Sequence, residues 1–138
     1  MKVLDTDTCI GLLRGRPEII SRREAVASEE VVTTWVTAGE LFFGASKSID
    51  PEGNARRVVQ FLDTLRILGP DLGSARFFGE VKAKLRAEGN MLADADLMIA
   101  SIALANDATV VTGNRRHFER VPALLLEDWL RPGQKDSA

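Results

Sequence analysis

Apolar and polar positions along the chain follow two periods, and their alternation predicts an α/β order of elements. Val3-Leu4 is a short apolar run cut off at once by Asp5, which reads as a buried strand over Lys2 to Leu4 with acids at its C-terminal end. Asp7 or Thr8 then caps a short helix through Ile10-Gly11-Leu12-Leu13, stopped by Gly15 and Pro17. Pro17 suits the first turn of a second helix, expected to run to about Ala27. Glu30-Val31-Val32-Thr33-Thr34 is β-branched and predicts the second strand.

Trp35 to Ser46 returns to helical spacing. At about 100° per residue, Trp35, Ala38, Leu41, Phe42 and Ala45 share one broad face, and Val36 and Phe43 form a second apolar flank. Glu40 falls on the narrow stripe between them with Thr37 and Gly44. A helix apolar on two flanks is expected to be buried, Trp35 with it, so Glu40 is expected to be enclosed. An enclosed carboxylate must be paired, protonated or bound to a cation.

Asp50-Pro51 caps and starts a helix expected to reach Leu65, with Val58, Phe61, Leu62 and Leu65 as its stripe. Arg66-Ile67-Leu68 predicts a short strand. Asp71 caps the next helix, which carries Ala75, Phe78, Val81 and Leu85 before Gly89-Asn90 stops it. A further helix runs from Asp94, read as its N-cap, to Ala105, with Asp96 on the face of Ile99, Ala100 and Ala103. Ala108 to Thr112 is a buried strand, followed by a turn at Gly113-Asn114. His117-Phe118 belongs to a short connection, and Ala123 to Leu126 is a last short strand. Strands separated by helices predict a parallel sheet with helices on both faces. The division expected is one domain over residues 1–131 and a polar, disordered tail over 132–138.

Composition adds little to this picture and excludes some classes. The 138 residues are 45% hydrophobic and 28% charged, ordinary for a globular domain. No apolar run approaches a membrane span, and Val3-Leu4 is too short for a secretory segment. The single cysteine, Cys9, cannot form an internal disulfide and reads as a small buried side chain. A cytoplasmic protein is expected. Net charge is −2, so no global basic field draws in nucleic acid. Arginines do cluster locally, Arg115 and Arg116 among them, and arginine is the better phosphate fork. Arg115 and Arg116 are therefore candidates for gripping RNA phosphates, although an exposed arginine pair is more often simply solvated.

The chemistry lies in the acids. Asp5, Asp7, Glu40, Asp94 and Asp96 stand in apolar or small-residue surroundings, and Asp5 and Thr112 sit at strand ends, where α/β sheets form their sites. Each has an ordinary reading as well. Asp5 or, more easily, Asp7 can cap a helix, Asp94 can be an N-cap, and Asp96 suits the positive end of a helix dipole. Thr112 and Asn114 can hold a cation-bound water or phosphate, or merely form a turn. Carboxylates gathered together repel, and a divalent cation relieves that repulsion. Mg²⁺ and Mn²⁺ prefer such oxygen ligands and can activate water against a phosphodiester.

Leu4-Asp5-Thr6-Asp7, Gly39-Glu40-Leu41 with Gly44-Ala45, Asp96-Leu97-Met98-Ile99-Ala100, and Val111-Thr112-Gly113-Asn114 with Phe118-Glu119-Arg120-Val121-Pro122 together resemble the VapC-type PIN-domain ribonucleases. The order and spacing match over nearly the whole chain. The resemblance implies a three-layer α/β/α domain around a central parallel sheet. It implies Mg²⁺- or Mn²⁺-dependent endonucleolytic cleavage of RNA, often tRNA or ribosomal RNA. It also implies a toxin held inactive by a cognate antitoxin, and a homodimer. By position, Asp5, Glu40 and Asp96 match the catalytic, metal-holding acids. Asp7, in place of the family's usual Asn, and Asp94, Thr112 and Asn114 match supporting positions. Many relatives carry Asp near Asn114, so the number of metal ions stays open.

Two other readings compete. Asp5-Thr6-Asp7-Thr8 also resembles the nucleophile motif of haloacid-dehalogenase-type phosphatases, but that family's lysine and late acid pair do not follow in order. A receiver-like phosphoacceptor module would want a mid-chain acceptor Asp and a lysine after Thr112, and neither is well placed.

Overall fold

The computed structural model describes residues 1–130, so the tail expected over 132–138 lies outside the described residues. Three strands and four helices alternate through the first half: β1 (Lys2–Leu4), α1 (Thr6–Leu13), α2 (Pro17–Glu24), β2 (Val31–Thr34), α3 (Trp35–Ser46), α4 (Pro51–Leu62) and β3 (Arg66–Leu68). There follow α5 (Leu72–Ala87), α6 (Asp94–Ala105), β4 (Thr109–Val111), the one-turn α7 (Arg115–Phe118) and β5 (Leu126–Glu127). The five strands are all parallel in the order β3-β2-β1-β4-β5. Val3 pairs with Val32 on one side and Val110 on the other.

Side chains alternate across the sheet, so each strand feeds two cores. Val3, Val32 and Val110 pack with α5, α6 and Phe118 of α7, while Leu4, Val31 and Val111 pack with Cys9, Ile19, Leu41, Leu62 and Trp129. This is the expected α/β/α arrangement. Helix ends follow their caps. Asp50 accepts from the Gly53 N–H at 3.1 Å, and Asp71 and Ser74 form a reciprocal capping box. Gly15 and Gly89, both at positive φ, carry the chain out of α1 and α5. Cys9 is fully buried, and burial pushes its thiol up to about 12.

Several expectations need correction. Asp5, not Asp7 or Thr8, caps α1: its carboxylate accepts from the Thr8 N–H at 2.8 Å. Ala93, not Asp94, occupies the N-cap of α6. Helix α2 stops at Glu24 and α4 at Leu62, both short of their expected ends, and Glu30 belongs to a 3₁₀ turn rather than to β2. The connection at His117 is a helical turn. The last strand does not begin at Ala123, because that residue has φ 66°, a left-handed conformation no strand residue takes. Trp35 is 60% exposed rather than core. Among the described residues no helix is long and apolar enough to cross a membrane.

Candidate active site

The sheet order reverses between β1 and β4. Strands numbered upward from β1 extend one way, while β4 and β5 extend the other, and the crevice beyond their C-terminal ends is where such folds bind ligands. Asp5 follows β1 there and Thr112 follows β4. The Asp5 N–H donates to the Val111 carbonyl at 3.0 Å, and the Thr8 hydroxyl donates to the same carbonyl at 3.1 Å. The Asp5 carboxylate is thus held between two strands and the first turn of α1. It is 4% exposed. Burial pushes its pKa from the ordinary 3.8 up to about 6, against the pull of the Thr112 hydroxyl and the Thr8 N–H and hydroxyl, while the charge of Asp7 pushes it further up. Thr112 is fully buried, and its hydroxyl oxygen also accepts from the Asn114 N–H at 2.9 Å.

Asp96 enters from the first turn of α6, with its side chain 30% exposed. Burial raises its pKa, the His117 ring opposes this, and the charges of Glu40 and Asp7 raise it again. Glu40 and Asp7 are therefore close enough to act on Asp96, and Asp7 acts on Asp5 as well. Asp5, Asp7, Glu40 and Asp96 are linked in this way, whereas Asp94 pairs elsewhere.

Glu40 does not sit there as expected. It is exposed, not enclosed, and its Oε1 accepts from the Thr6 hydroxyl at 2.6 Å, with Thr37 at 3.2 Å from the same hydroxyl. The reason lies in α3. Val36, Ala38, Leu41 and Ala45 pack inward, whereas Trp35, Phe42 and Phe43 of the other apolar positions stay uncovered, with Phe43 66% exposed. Glu40 lies at the boundary, on the pocket's open rim. Asp7 is likewise exposed.

The remaining candidates separate. Asp94 pairs with Lys82 of α5 at 3.0 Å. The Asn114 amide nitrogen lies 2.7 Å from His117 Nδ1. His117 Nδ1 also stands 3.7 Å from Asp96 Oδ2. His117 is the site neighbour that the reading of the acids passed over. Its signal was the three-residue spacing from Asn114, which places both on one turn once α7 is recognised. Arg115 is largely buried, its Nε 3.9 Å from Glu119, so Arg116 is the member of that pair open to solvent.

Among the described residues no three Asp, Glu, His or Cys side chains close on a common point to form a finished metal cage. The donor chemistry nevertheless suits a hard divalent cation: oxygen ligands only, with Asp5 and Asp96 both raised by burial and by like charge. Mg²⁺ keeps several of its waters and takes directly only one or two carboxylates, so it does not require a closed cage.

Comparisons with known proteins bear on this geometry. The family model for the PIN domain matches residues 2–124. The chain is 37% identical over 127 residues to the tRNA(fMet)-specific endonuclease VapC of Salmonella typhimurium, covering 92% of this chain and 96% of that protein. It is 38% identical over 129 residues to Ribonuclease VapC2 of Haemophilus influenzae, covering 93% and 97%. Among solved structures, a chain of the DNA-bound VapBC from Salmonella typhimurium superposes with a TM-score of 0.87 at 37% identity, covering 93% of this chain and 97% of that one. A chain of VapBC2 from Rickettsia felis, bound to a DNA fragment from its promoter, superposes with a TM-score of 0.88 at 31% identity, covering 93% and 98%.

Proposed function

The chain belongs to the PIN-domain family, among its VapC-type ribonucleases, and from that membership we propose that it is a metal-dependent endoribonuclease, the toxin of a toxin–antitoxin pair. Its substrate is proposed to be tRNA, as the name of the Salmonella typhimurium relative suggests. Its partner is proposed to be a cognate antitoxin, since the structural neighbours are VapBC complexes, and its working form a homodimer.

The observation that carries the reading is Asp5, a carboxylate buried at the end of the central strand and held above its ordinary pKa, with the charge of Asp7 beside it. In this proposal Asp5, Glu40 and Asp96 hold Mg²⁺ or Mn²⁺. The ion, when bound, supplies an acidified water and positive charge against the phosphodiester. Each side chain then has a separate task. Asp5 is fixed by the Thr8 N–H and the Thr112 hydroxyl, so its carboxylate has a set direction. Asp96 projects from the first turn of α6, where the helix dipole favours its charge. Glu40, oriented by Thr6 and open to solvent, is free to meet the incoming RNA and its waters. Asp7 deepens the negative field at the rim.

The sheet order disfavours the receiver-like reading, whose strands run 2-1-3-4-5 rather than the order seen here. The phosphatase reading needs Asp5 open to an incoming ester, and Asp5 is buried and hydrogen-bonded. The test is incubation with tRNA in Mg²⁺, Mn²⁺ or EDTA, beside Asp5→Ala and Glu40→Ala. Cleavage is expected only with metal and in neither variant. Cleavage that survives EDTA, or both substitutions, overturns the proposal.

A further inference from the structure

A groove of about 660 Å³ opens beside the acids, between α1, α3 and α4. Glu40 stands on its wall at the end shared with the site, through its bond to Thr6. Away from Glu40 the charge changes sign. Arg14, Lys47 and Arg57 line the groove, and Glu40 is the one carboxylate that lines it among the described residues. All three cations are exposed, and none makes an ion pair among the described residues. Arg57 Nη1 donates to Asn54 Oδ1 at 3.3 Å, a contact with a neutral amide that leaves its charge uncompensated. Phe43 presents its ring on the same wall, with Lys47 Nζ 4.8 Å from its centroid.

An aromatic ring left 66% exposed, with Lys47 over it and Arg14 and Arg57 lining the same groove, is poorly explained by packing within the chain. It matches what a single-stranded nucleic acid needs: a positive track for phosphates and a flat face for a base. We propose that this groove is the track for the RNA strand leading away from the scissile phosphate, with Arg14, Lys47 and Arg57 on its phosphates and Phe43 stacked on a base. This rests on the ribonuclease reading and assigns the substrate-positioning side chains for it. A protein segment threading the same groove would gain from the apolar wall but would need acidic residues against the three cations. RNA supplies that negative charge at every step along its backbone.

The test measures binding of a short fluorescein-labelled single-stranded RNA by anisotropy in EDTA across a salt titration, and steady-state cleavage of tRNA with Mg²⁺. The chain carrying Arg14→Gln, Lys47→Gln and Arg57→Gln together is expected to lose about 2 from the slope of log affinity against log salt. Its KM for cleavage is expected to rise about tenfold or more while kcat holds. Phe43→Ala is expected to weaken binding about tenfold with the salt slope unchanged. Lys84→Gln, on the exposed face of α5, is expected to match wild type. A triple variant whose salt slope equals that of wild type overturns the assignment. So does one that binds RNA normally but releases a purified antitoxin, which gives the groove to a protein partner. Wild type that binds RNA with the full slope yet cuts none with Mg²⁺ or Mn²⁺ removes the nuclease reading and leaves the groove. Wild type that cuts, beside a triple variant unchanged in slope and KM, removes the groove alone.

Discussion

Asp5→Asn should abolish cleavage and stabilise the metal-free protein, and the second effect tests the site independently of any RNA. The Asp5 carboxylate is 4% exposed, and its pKa rises from 3.8 to about 6, chiefly through burial. A displacement of that size makes the ionised form cost about 3 kcal/mol at neutral pH. Asparagine removes the charge and remains as good a cap for the Thr8 N–H. The Thr112 hydroxyl must rotate to meet the new amide, so the expected net gain is about 1–3 kcal/mol. The sign follows from proton binding. Between pH 3.8 and about 6 the folded wild type holds a proton that the unfolded chain has released. The stability of wild type therefore falls as pH rises through that window and levels off above it. The advantage of Asp5→Asn should be near zero at about pH 4 and full above about pH 7. Urea unfolding in EDTA, followed by the fluorescence of buried Trp129, reads this directly. Mg²⁺ should then raise the stability of wild type and not that of the variant. A variant less stable than wild type at pH 7.5, or equally stabilised at pH 4.5, would refute the reasoning.

Under the proposed metal site, Glu40→Gln should cut cleavage by about a hundredfold or more, since removing a cation ligand forfeits several kcal/mol of transition-state charge stabilisation. Because Glu40 is exposed, unfolding free energy should move by less than about 0.5 kcal/mol, and a larger loss in urea melts would restore the enclosed position first expected of it. Trp35→Ala, at a residue 60% exposed, should change the stability of dilute protein by under about 1 kcal/mol, whereas Trp129→Ala should cost about 3–5 kcal/mol. Comparable losses for the two in denaturant would show that Trp35 is covered in solution. Glu127 accepts from Arg22 Nη2 and Trp129 Nε1, each at 3.1 Å, and from Lys2. Burial alone would raise its pKa, but Lys2, Trp129 and Arg22 together hold it below the ordinary 4.5. Glu127→Gln should cost about 2 kcal/mol at pH 7, because Lys2 and Arg22 are partly open to water. That cost should shrink as pH falls below 4.5 through the lowered pKa; a cost constant down to pH 3 counts against the ion pairs as its source.

Most of the fold was legible in the sequence, and the exceptions have physical causes. The bounds of α3, β3 and α6 were readable from the chain because an abrupt change of period or a Gly-Pro break marks them. Helix α7 was not, since four residues make a single turn and no periodicity can accumulate. The start of β5 was misplaced because Leu124-Leu125-Leu126 reads as one apolar run, and only the positive φ of Ala123 shows the chain still turning. Glu40 was misjudged for a more general reason. Periodicity reports which flanks of a helix are apolar, but burial depends on whether another element covers each flank. The fold covers Val36, Ala38, Leu41 and Ala45 and leaves Trp35, on the broad face, and Phe43, on the second flank, open.

What marks the candidate site best is therefore a comparison that no single residue offers. Asp5 and Glu127 are equally buried carboxylates, each 4% exposed, Asp5 at the end of the central strand β1 and Glu127 on the edge strand β5. The fold treats them oppositely. Around Glu127 it places two cations and an indole N–H, and the carboxyl is held below its ordinary range. Around Asp5 it places hydroxyls, one backbone N–H and another acid, and the carboxyl is held above its range. Burial is common to both, so burial alone does not distinguish structure from function. The difference is that the neighbours of Glu127 bring the positive charge with them, whereas those of Asp5 among the described residues include Asp7 and no cation. A fold that tolerates this cost at the end of its central strand marks Asp5 as a functional group, and the proposed divalent cation is what would offset the cost.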